Sequence, residues 1–216
     1  DISSMLVAHI ANPKKNDTII DVCAAPGGKA LHMAELLNGT GYVEARDLTE
    51  YKVGLIQDNI ERSGLKNIEA VQRDATILDT ESVEKADIVV ADLPCSGLGV
   101  LGKKTDLKYK MTEQTQGELV KLQREILSTV KQYVKPGGTL VYSTCTIHEA
   151  ENMGNVEWFL AESQDFQLVS VKDKLCGELS AGVEDNVVRE GCLQLLPGVH
   201  KSDGFFIAKF KKVKHE

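Results

Sequence analysis

The fold is decided by the stretch DTIIDVCAAPGGK at residues 17–29, an apolar run of strand length followed by a loop of small residues. Small residues let a backbone approach a ligand closely, and the N-terminus of a following helix offers unpaired N–H groups. The loop lacks the GxGxxG pattern, because Ala24 and Ala25 stand where the first glycines would be. It is not a Walker A loop either, because Ala30 rather than Ser or Thr follows Lys29. The pattern therefore favours a ligand with a carboxylate and a nucleoside, such as S-adenosylmethionine, over a diphosphate.

Strand-length apolar runs alternate with helical periodicity along the whole chain. Strands are predicted at residues 17–23, 41–47, 67–75, 86–92, 139–145, 166–171 and 204–210, and helices at 29–37, from Thr49 to Gly64, at about 112–134 and at about 149–161, with a turn at 135–138. This order predicts an α/β fold with a mostly parallel seven-stranded sheet and helices on both faces. A loop rather than a helix at about 172–203 predicts an antiparallel strand at one edge. Sheets of this kind bind ligands at the carboxyl ends of their strands.

Composition places the chain among ordinary globular domains. The 216 residues, 42% hydrophobic and 26% charged, predict one catalytic domain over residues 1–216. No apolar run is long enough to cross a bilayer, and the first residues show no secretory signal. The absence of an initiator Met suggests that the chain begins inside a longer protein.

The five cysteines form no CxxC pair, and their odd number predicts reduced thiols in the cytoplasm. The scattered histidines predict no metal site. We further expect a monomer.

Two acidic residues extend the predicted cofactor site. Asp47 ends the second strand 19 residues after Gly28, the spacing at which an acid accepts hydrogen bonds from ribose hydroxyls. The alternative is an acid that caps the next helix, but the upstream glycine loop favours the ribose role. Asp74 follows the third strand, near an adenine ring if the ligand crosses the switch point, although alone it is more typical of a loop acid.

Two cysteines follow central strands, Cys95 in DLPCSG at 92–97 and Cys145 in STCT at 143–146. A thiol after Asp-x-Pro, in place of the aromatic ring of amino-group methyltransferases, favours attack at carbon. Methylation of pyrimidine C5 needs a thiolate that adds to C6, because C5 alone is a weak nucleophile. Asp92 is the candidate to stabilise the adduct near N3. The residues alone do not decide which cysteine attacks, and buried filler is the alternative for either thiol.

Four segments resemble the Nol/Nop/Sun family of RNA 5-methylcytosine methyltransferases, most closely the catalytic domain of its RsmB (Fmu/Sun) members. They are DVCAAPGGKA, DLPCSGLG, KPGGTLVYSTCT and LLPGVHKSDGFFIAKF. The resemblance implies a Rossmann-like class I S-adenosylmethionine methyltransferase fold. It also implies methyl transfer from S-adenosylmethionine to a cytosine of 16S ribosomal RNA, with Cys145 as the nucleophile, Cys95 assisting product release and Lys29 near the active site. The implied cofactor residues are Cys23, Ala24, Ala25, Pro26, Gly27, Gly28, Lys29, Asp47, Asp74 and Asp92.

The same resemblance bears on RNA binding and on the end of the chain. It implies an N-terminal NusB-like RNA-binding domain in the full-length protein, and nothing in this chain corresponds to it. His200, Asp203, Gly204 and Phe205 match the closing motif of the family. The basic segment 101–110 is a candidate RNA contact, with a solvated lysine face as the alternative. Its lysines are Lys103, Lys104, Lys108 and Lys110.

Three other functions remain in competition. The first is the same chemistry on tRNA. The second is a ribosome-assembly or RNA-binding factor without turnover, which the two strand-end thiols disfavour. The third is a nicotinamide oxidoreductase, which the missing GxGxxG disfavours.

Overall fold

A computed structural model describes residues 2–100, 102, 112–175, 188–189, 191–200 and 202–214. The five α-helices in this part are α1 (Ile2–Ala11), α2 (Gly28–Leu36), α3 (Glu50–Ser63), α4 (Glu113–Val130) and α5 (Met153–Glu162). The nine strands are β1 (Thr18–Asp21), β2 (Tyr42–Asp47), β3 (Ile68–Gln72), β4 (Ala86–Asp92), β5 (Val134–Thr144), β6 (Phe166–Leu168), β7 (Val188–Arg189), β8 (Cys192–Leu195) and β9 (Phe205–Lys212). Among these helices, none has the length and apolar composition needed to cross a membrane.

The strands form one mixed sheet in the order β3-β2-β1-β4-β5-β9-β8-β7. The first five strands of this order are parallel, and β9 lies antiparallel beside β5. On the far side of β9, β8 pairs with its first half and β6 with its second half, both antiparallel. The predicted α/β, mostly parallel fold is confirmed.

Two apolar layers cover the sheet. One layer packs α1, α2 and α3 against one face, and the other packs α4 and α5 against the opposite face. Successive residues of a strand point to opposite faces, so β1 sends Ile19 into the first layer and Ile20 into the second. Both faces of the central strands are therefore buried, which explains their continuous apolar sequences.

The ends of α3 follow the predicted signals. The Thr49 hydroxyl accepts a hydrogen bond from the Lys52 N–H, as an N-cap residue does. Gly64 takes a left-handed conformation with φ of 70° and ends the helix.

Several predicted boundaries are wrong. The strand predicted at 17–23 ends at Asp21, those predicted at 67–75 and 166–171 are shorter, and the helix predicted to reach residue 134 ends at Val130. The segment 135–138 is not a turn but part of β5, where the pairing with β4 shifts register and Gly137 has φ of 77°. Pro and Gly mark an irregularity there, but within a strand.

The region predicted as a loop at 172–203 contains β7 and β8. The predicted antiparallel edge is confirmed, but β8 and β7 form it, so β9 lies inside the sheet. The strand β8 has only four residues and was not predicted, whereas β6 lies within the strand predicted at 166–171.

Candidate active site

The polar residues of the site come from strand alternation on the face covered by α2. Ile88 and Val90 of β4 pack into the first apolar layer, so Asp92, two residues further on, lies on the same face. In β5, Val141 and Cys145 share that face by the same rule. The sheet therefore presents a carboxylate and a thiol side by side at the carboxyl ends of neighbouring strands.

Ser143 joins the two strands. It pairs with Asp92 across the β4–β5 register, and its hydroxyl donates a hydrogen bond of 2.7 Å to Asp92 Oδ1. This bond fixes the rotation of the carboxylate. Ser143 was missed in the sequence, although its position two residues before Cys145 places it on the same face.

Lys29 at the start of α2 completes an ion pair, with Nζ 2.6 Å from Asp92 Oδ2. The ammonium also lies 5.7 Å from the ring centre of Phe205. Burial alone would lower the pKa of Lys29, but Asp92, Asp21 and Cys145 raise it above its ordinary value. Lys29 is therefore a permanent positive charge beside Cys145.

Cys95 and Cys145 meet with their sulfur atoms 3.1 Å apart. The Cys145 N–H also donates to Cys95 Sγ at 3.3 Å. Both thiols are free and half-buried. Two cysteines fifty residues apart in sequence thus form one reactive unit.

The pKa values of the two thiols move in opposite directions. The hydrogen bond between the two thiols lowers the pKa of Cys145, with help from Lys29 and against burial and Asp92. The same hydrogen bond, together with burial, raises the pKa of Cys95. Of the two thiols, Cys145 is therefore the one that ionises more readily.

Cys23 is a third thiol near these groups. Burial raises its pKa, and the charges of Asp21, Asp47 and Asp92 raise it further. Cys23 therefore stays neutral, which suits a residue of the cofactor loop and not a nucleophile.

The glycine loop and Asp47 are directly bonded. The Ala25 N–H donates to Asp47 Oδ2 at 3.0 Å, while Oδ1 accepts from the Leu48 N–H at 2.8 Å and faces Lys52 Nζ at 3.2 Å. Gly27 has φ of 108°, which favours glycine. A side chain added at Gly28 would meet no atom within 4 Å, so this backbone faces open space.

A cleft of about 780 Å³ lies beyond the ends of β2 and β3, a size typical of small-molecule sites. Leu48, Ile77 and Leu78 supply exposed apolar walls, and Asp74 supplies a carboxylate. Asp74 Oδ1 accepts hydrogen bonds from the backbone and hydroxyl of Thr76, so it also stabilises its own turn. The residues that line this cleft lie between Leu48 and Glu81, and the glycine loop at 23–29 is not among them.

The closing motif packs against the Cys95 loop. The Gly204 N–H donates to Gly99 O at 2.8 Å, and the Gly99 N–H donates to Cys145 O at 3.1 Å. A Cβ at Gly99 would lie 2.1 Å from Gly204 O, so glycine is required at this contact. His200 is nearly buried and its Nδ1 accepts from the Leu196 N–H, which assigns it a role in the turn before β9.

The predicted RNA contacts Lys103, Lys104, Lys108 and Lys110 lie outside the described residues. Within the described ranges, no group of three or more His, Cys, Asp or Glu side chains is arranged to hold a metal ion.

The strand order, the glycine loop at β1 and the acids that follow β2, β3 and β4 define a Rossmann-like class I methyltransferase. Residues 8–211 match the family model described as 16S rRNA methyltransferase RsmB/F, and the chain belongs to this family.

The relatives include ribosomal RNA and tRNA enzymes. The chain is 41% identical over 214 residues to "Probable ribosomal RNA small subunit methyltransferase B" of Bacillus subtilis, covering 98% of this chain and 47% of the relative. It is 37% identical over 214 residues to "tRNA (cytosine(72)-C(5))-methyltransferase" of Pyrococcus horikoshii, covering 99% and 51%. A crystal structure of NSun6 from Pyrococcus horikoshii with SFG, an S-adenosylmethionine analogue, matches with a TM-score of 0.84 and 33% identity over 99% of this chain and 52% of that one. The chain thus spans about half the length of the curated relatives it matches.

Proposed function

We propose that this chain transfers a methyl group from S-adenosylmethionine to C5 of a cytosine in small-subunit ribosomal RNA. The observation that carries the proposal is the thiol pair, in which Cys95 lowers the pKa of Cys145 at a distance of 3.1 Å. The 41% identity to the Bacillus subtilis relative supports the ribosomal substrate. The glycine loop at 23–29, Asp47 and Asp74 would hold the cofactor, which supplies the methyl group.

The chemistry needs an addition and an elimination. The Cys145 thiolate forms the S–C6 bond, and the electron pair of the C5–C6 double bond moves onto C5, where it is conjugated with C4 and N3, so C5 becomes nucleophilic. After C5 has gained the methyl group, water accepts its proton, the electron pair of the C5–H bond re-forms the C5–C6 double bond, and the S–C6 bond breaks to return the thiolate. Cys95, held as a neutral thiol beside the sulfur that leaves, assists this release.

The Lys29–Asp92 ion pair contributes to the same addition and elimination steps. Lys29 supplies positive charge to the thiolate. Ser143 and Lys29 hold Asp92 in one orientation, in which its carboxylate can accept a hydrogen bond from the cytosine amino group beside N3. A substrate base at this point would lie beside Phe205, whose ring already borders Lys29.

Trapping with RNA that contains 5-fluorocytosine tests the proposal, because fluorine at C5 cannot leave as a proton does and the adduct persists. We expect a protein–RNA band on a denaturing gel when the cofactor is present. Cys145→Ala should abolish it, and Cys95→Ala should accumulate a covalent complex on ordinary RNA. Cys192→Ala, which removes a buried thiol in β8, is the matched control and should behave like the unaltered chain. Adducts that survive loss of Cys145 but require Cys95 would reverse the assignment.

The substrate is tested separately with small-subunit rRNA and tRNA as methyl acceptors. The 37% identity to the tRNA enzyme makes tRNA the second candidate. We also propose that the full-length protein carries a NusB-like RNA-binding domain and acts in the cytoplasm, where Cys23, Cys95, Cys145 and Cys192 stay reduced. Addition of that domain should raise RNA affinity without changing the cysteine that is trapped. Faster methylation of tRNA than of rRNA by both forms would favour the second candidate.

A further inference from the structure

A buried polar network lies on the opposite face of the sheet, directly behind the two thiols. Its centre is Glu151, whose side chain is fully buried. Glu151 follows β5 and packs against α4 and α5, far in sequence from the Cys95 loop. Burying a carboxylate in an apolar layer is costly unless its oxygens are bonded, so its partners show what it holds in place.

Glu151 and its partner Gln123 form hydrogen bonds with the backbone on both sides of Cys95. Glu151 Oε2 accepts a hydrogen bond of 2.9 Å from the Ser96 N–H, the residue after Cys95. The same oxygen accepts from Gln123 Nε2 at 2.9 Å, and that amide also donates to Pro94 O, the residue before Cys95, at 2.9 Å. One carboxylate and one amide therefore fix the peptide groups that flank the thiol.

Asn152 forms hydrogen bonds with the residues on both sides of Cys145. Its Oδ1 accepts from the Thr144 hydroxyl at 2.6 Å, and its Nδ2 donates to Thr146 O at 3.0 Å. Ser96 Oγ and Thr146 Oγ1 lie 2.7 Å apart, so a hydrogen bond links the Cys95 loop to the Cys145 loop. Two adjacent residues thus hold the two cysteine loops, which come from different strands.

The thiol pair depends on this spacing. A hydrogen bond between sulfur atoms weakens steeply with distance, and here the atoms are 3.1 Å apart. If either loop moved by about 1 Å, Cys95 would no longer donate efficiently to Cys145, and misplacement of this size can cost about 10²-fold in rate.

We propose that Glu151 and Asn152 are positioning residues that set the distance between the two thiols, an inference that rests on the proposed function for its catalytic consequence. They act through Cys95 and Cys145 and need not touch the substrate. Gln123 supports this role of Glu151, because its side-chain amide donates both to Glu151 and to the Pro94 carbonyl oxygen.

The test is the pH dependence of Cys145 alkylation by iodoacetamide, followed by mass spectrometry of the peptide that contains it. Glu151→Leu keeps the volume but removes the acceptor for the Ser96 N–H. We expect the midpoint of the Cys145 reactivity curve to rise by about one pH unit, which is about a tenfold loss of thiolate below both midpoints. Asn152→Leu should shift the midpoint in the same direction.

Two variants separate positioning from stability. Glu151→Gln retains one oxygen that can accept hydrogen bonds from Ser96 and Gln123. Its amide would lie near His148 Nδ1, which is 3.2 Å from Glu151 Oε1 in the unaltered chain. The midpoint of the Cys145 reactivity curve should therefore stay near that of the unaltered chain. Val130→Ala creates a cavity in the same apolar layer, roughly 10 Å along α4 from Gln123, and should lower the melting temperature without moving the midpoint.

A folded Glu151→Leu or Asn152→Leu protein with an unshifted midpoint would overturn the proposal, as would an equal shift in Val130→Ala. If the leucine variants do not fold, Ser96→Ala and Thr146→Val provide the same test, because each removes the hydrogen bond between the Ser96 and Thr146 hydroxyls. The expected shift of the alkylation midpoint is smaller for these variants. Alkylation needs no RNA. A chain that fails to methylate RNA but shows the expected shifts would therefore refute the proposed function and leave the positioning role standing.

Discussion

Replacing Asp21 by asparagine should stabilise the protein at neutral pH, by an amount that grows as the pH rises. Asp21 ends β1 beneath Lys29 and is 1% exposed. Within the described residues, neither carboxylate oxygen meets hydrogen-bond geometry with a donor. Burial, together with the charges of Asp92 and Asp47, raises its pKa from 3.8 to about 7, after Lys29 and the Cys23 amide have offset part of the effect.

The magnitude follows from this pKa difference. Below pH 3.8 the carboxyl group is protonated in both the folded and the unfolded chain, so it costs nothing. Between pH 3.8 and about 7 only the unfolded chain ionises, so the free energy of unfolding falls by about 1.4 kcal/mol per pH unit. Above pH 7 the loss levels off at about 4 kcal/mol, an upper limit that Asp21→Asn should recover.

Urea unfolding of both proteins between pH 4.5 and 8, without cofactor, measures this difference. Asp58→Asn removes a carboxylate from the exposed face of α3 and controls for the loss of one negative charge. The reasoning is refuted if the stability difference between Asp21→Asn and the unaltered chain stays constant from pH 5 to pH 7, or if the variant becomes relatively less stable.

Two further substitutions act on the site itself. Lys29→Met removes the cation beside Cys145, so the Cys145 alkylation midpoint should rise and single-turnover methylation near pH 7 should fall by about tenfold or more, while Lys29→Arg should retain more of both. An unchanged midpoint in Lys29→Met would contradict this electrostatic role. Gly99→Ala places a Cβ 2.1 Å from Gly204 O and 2.8 Å from Cys145 O, which must displace a loop of the site and cost about 10²-fold in rate. Gly54→Ala, with no atom within 4 Å of the added Cβ, is its control, and equal rates for the two alanine variants would rule out the steric argument.

The sequence predicts the parallel half of the sheet well because its strands are buried on both faces and stand out as apolar runs. It fails where strands are short or irregular. Residues 192–195 form a strand only because β9 offers them a partner, and residues 135–138 carry turn-forming residues inside a strand. Such pairings depend on long-range contacts that local patterns do not encode.

The candidate site, like the fold, could be predicted only in part from the sequence. Strand ends and spacing place Asp92 and Cys145 near one another, but the direction of each thiol pKa depends on a contact between loops fifty residues apart. Glu151 and Asn152 read as helix-start residues in the sequence, and only the folded chain shows what they hold. The cofactor and catalytic roles of the individual residues remain predictions for the experiments above.

The position of β9 has a consequence for the order in which the molecule can be assembled. The strand that carries Cys145 lies between β4, which precedes it in the chain, and β9, which begins sixty residues later at Phe205. A growing polypeptide therefore leaves the ribosome with Cys95 and Cys145 already made but without the strand that covers one side of β5 and without the Gly204 contact to Gly99. Contacts of such long sequence separation form late, because the closure entropy of the intervening chain opposes them. The contacts around the thiol pair are thus completed only after Phe205 has been synthesised, so a nascent chain released before that residue would lack them.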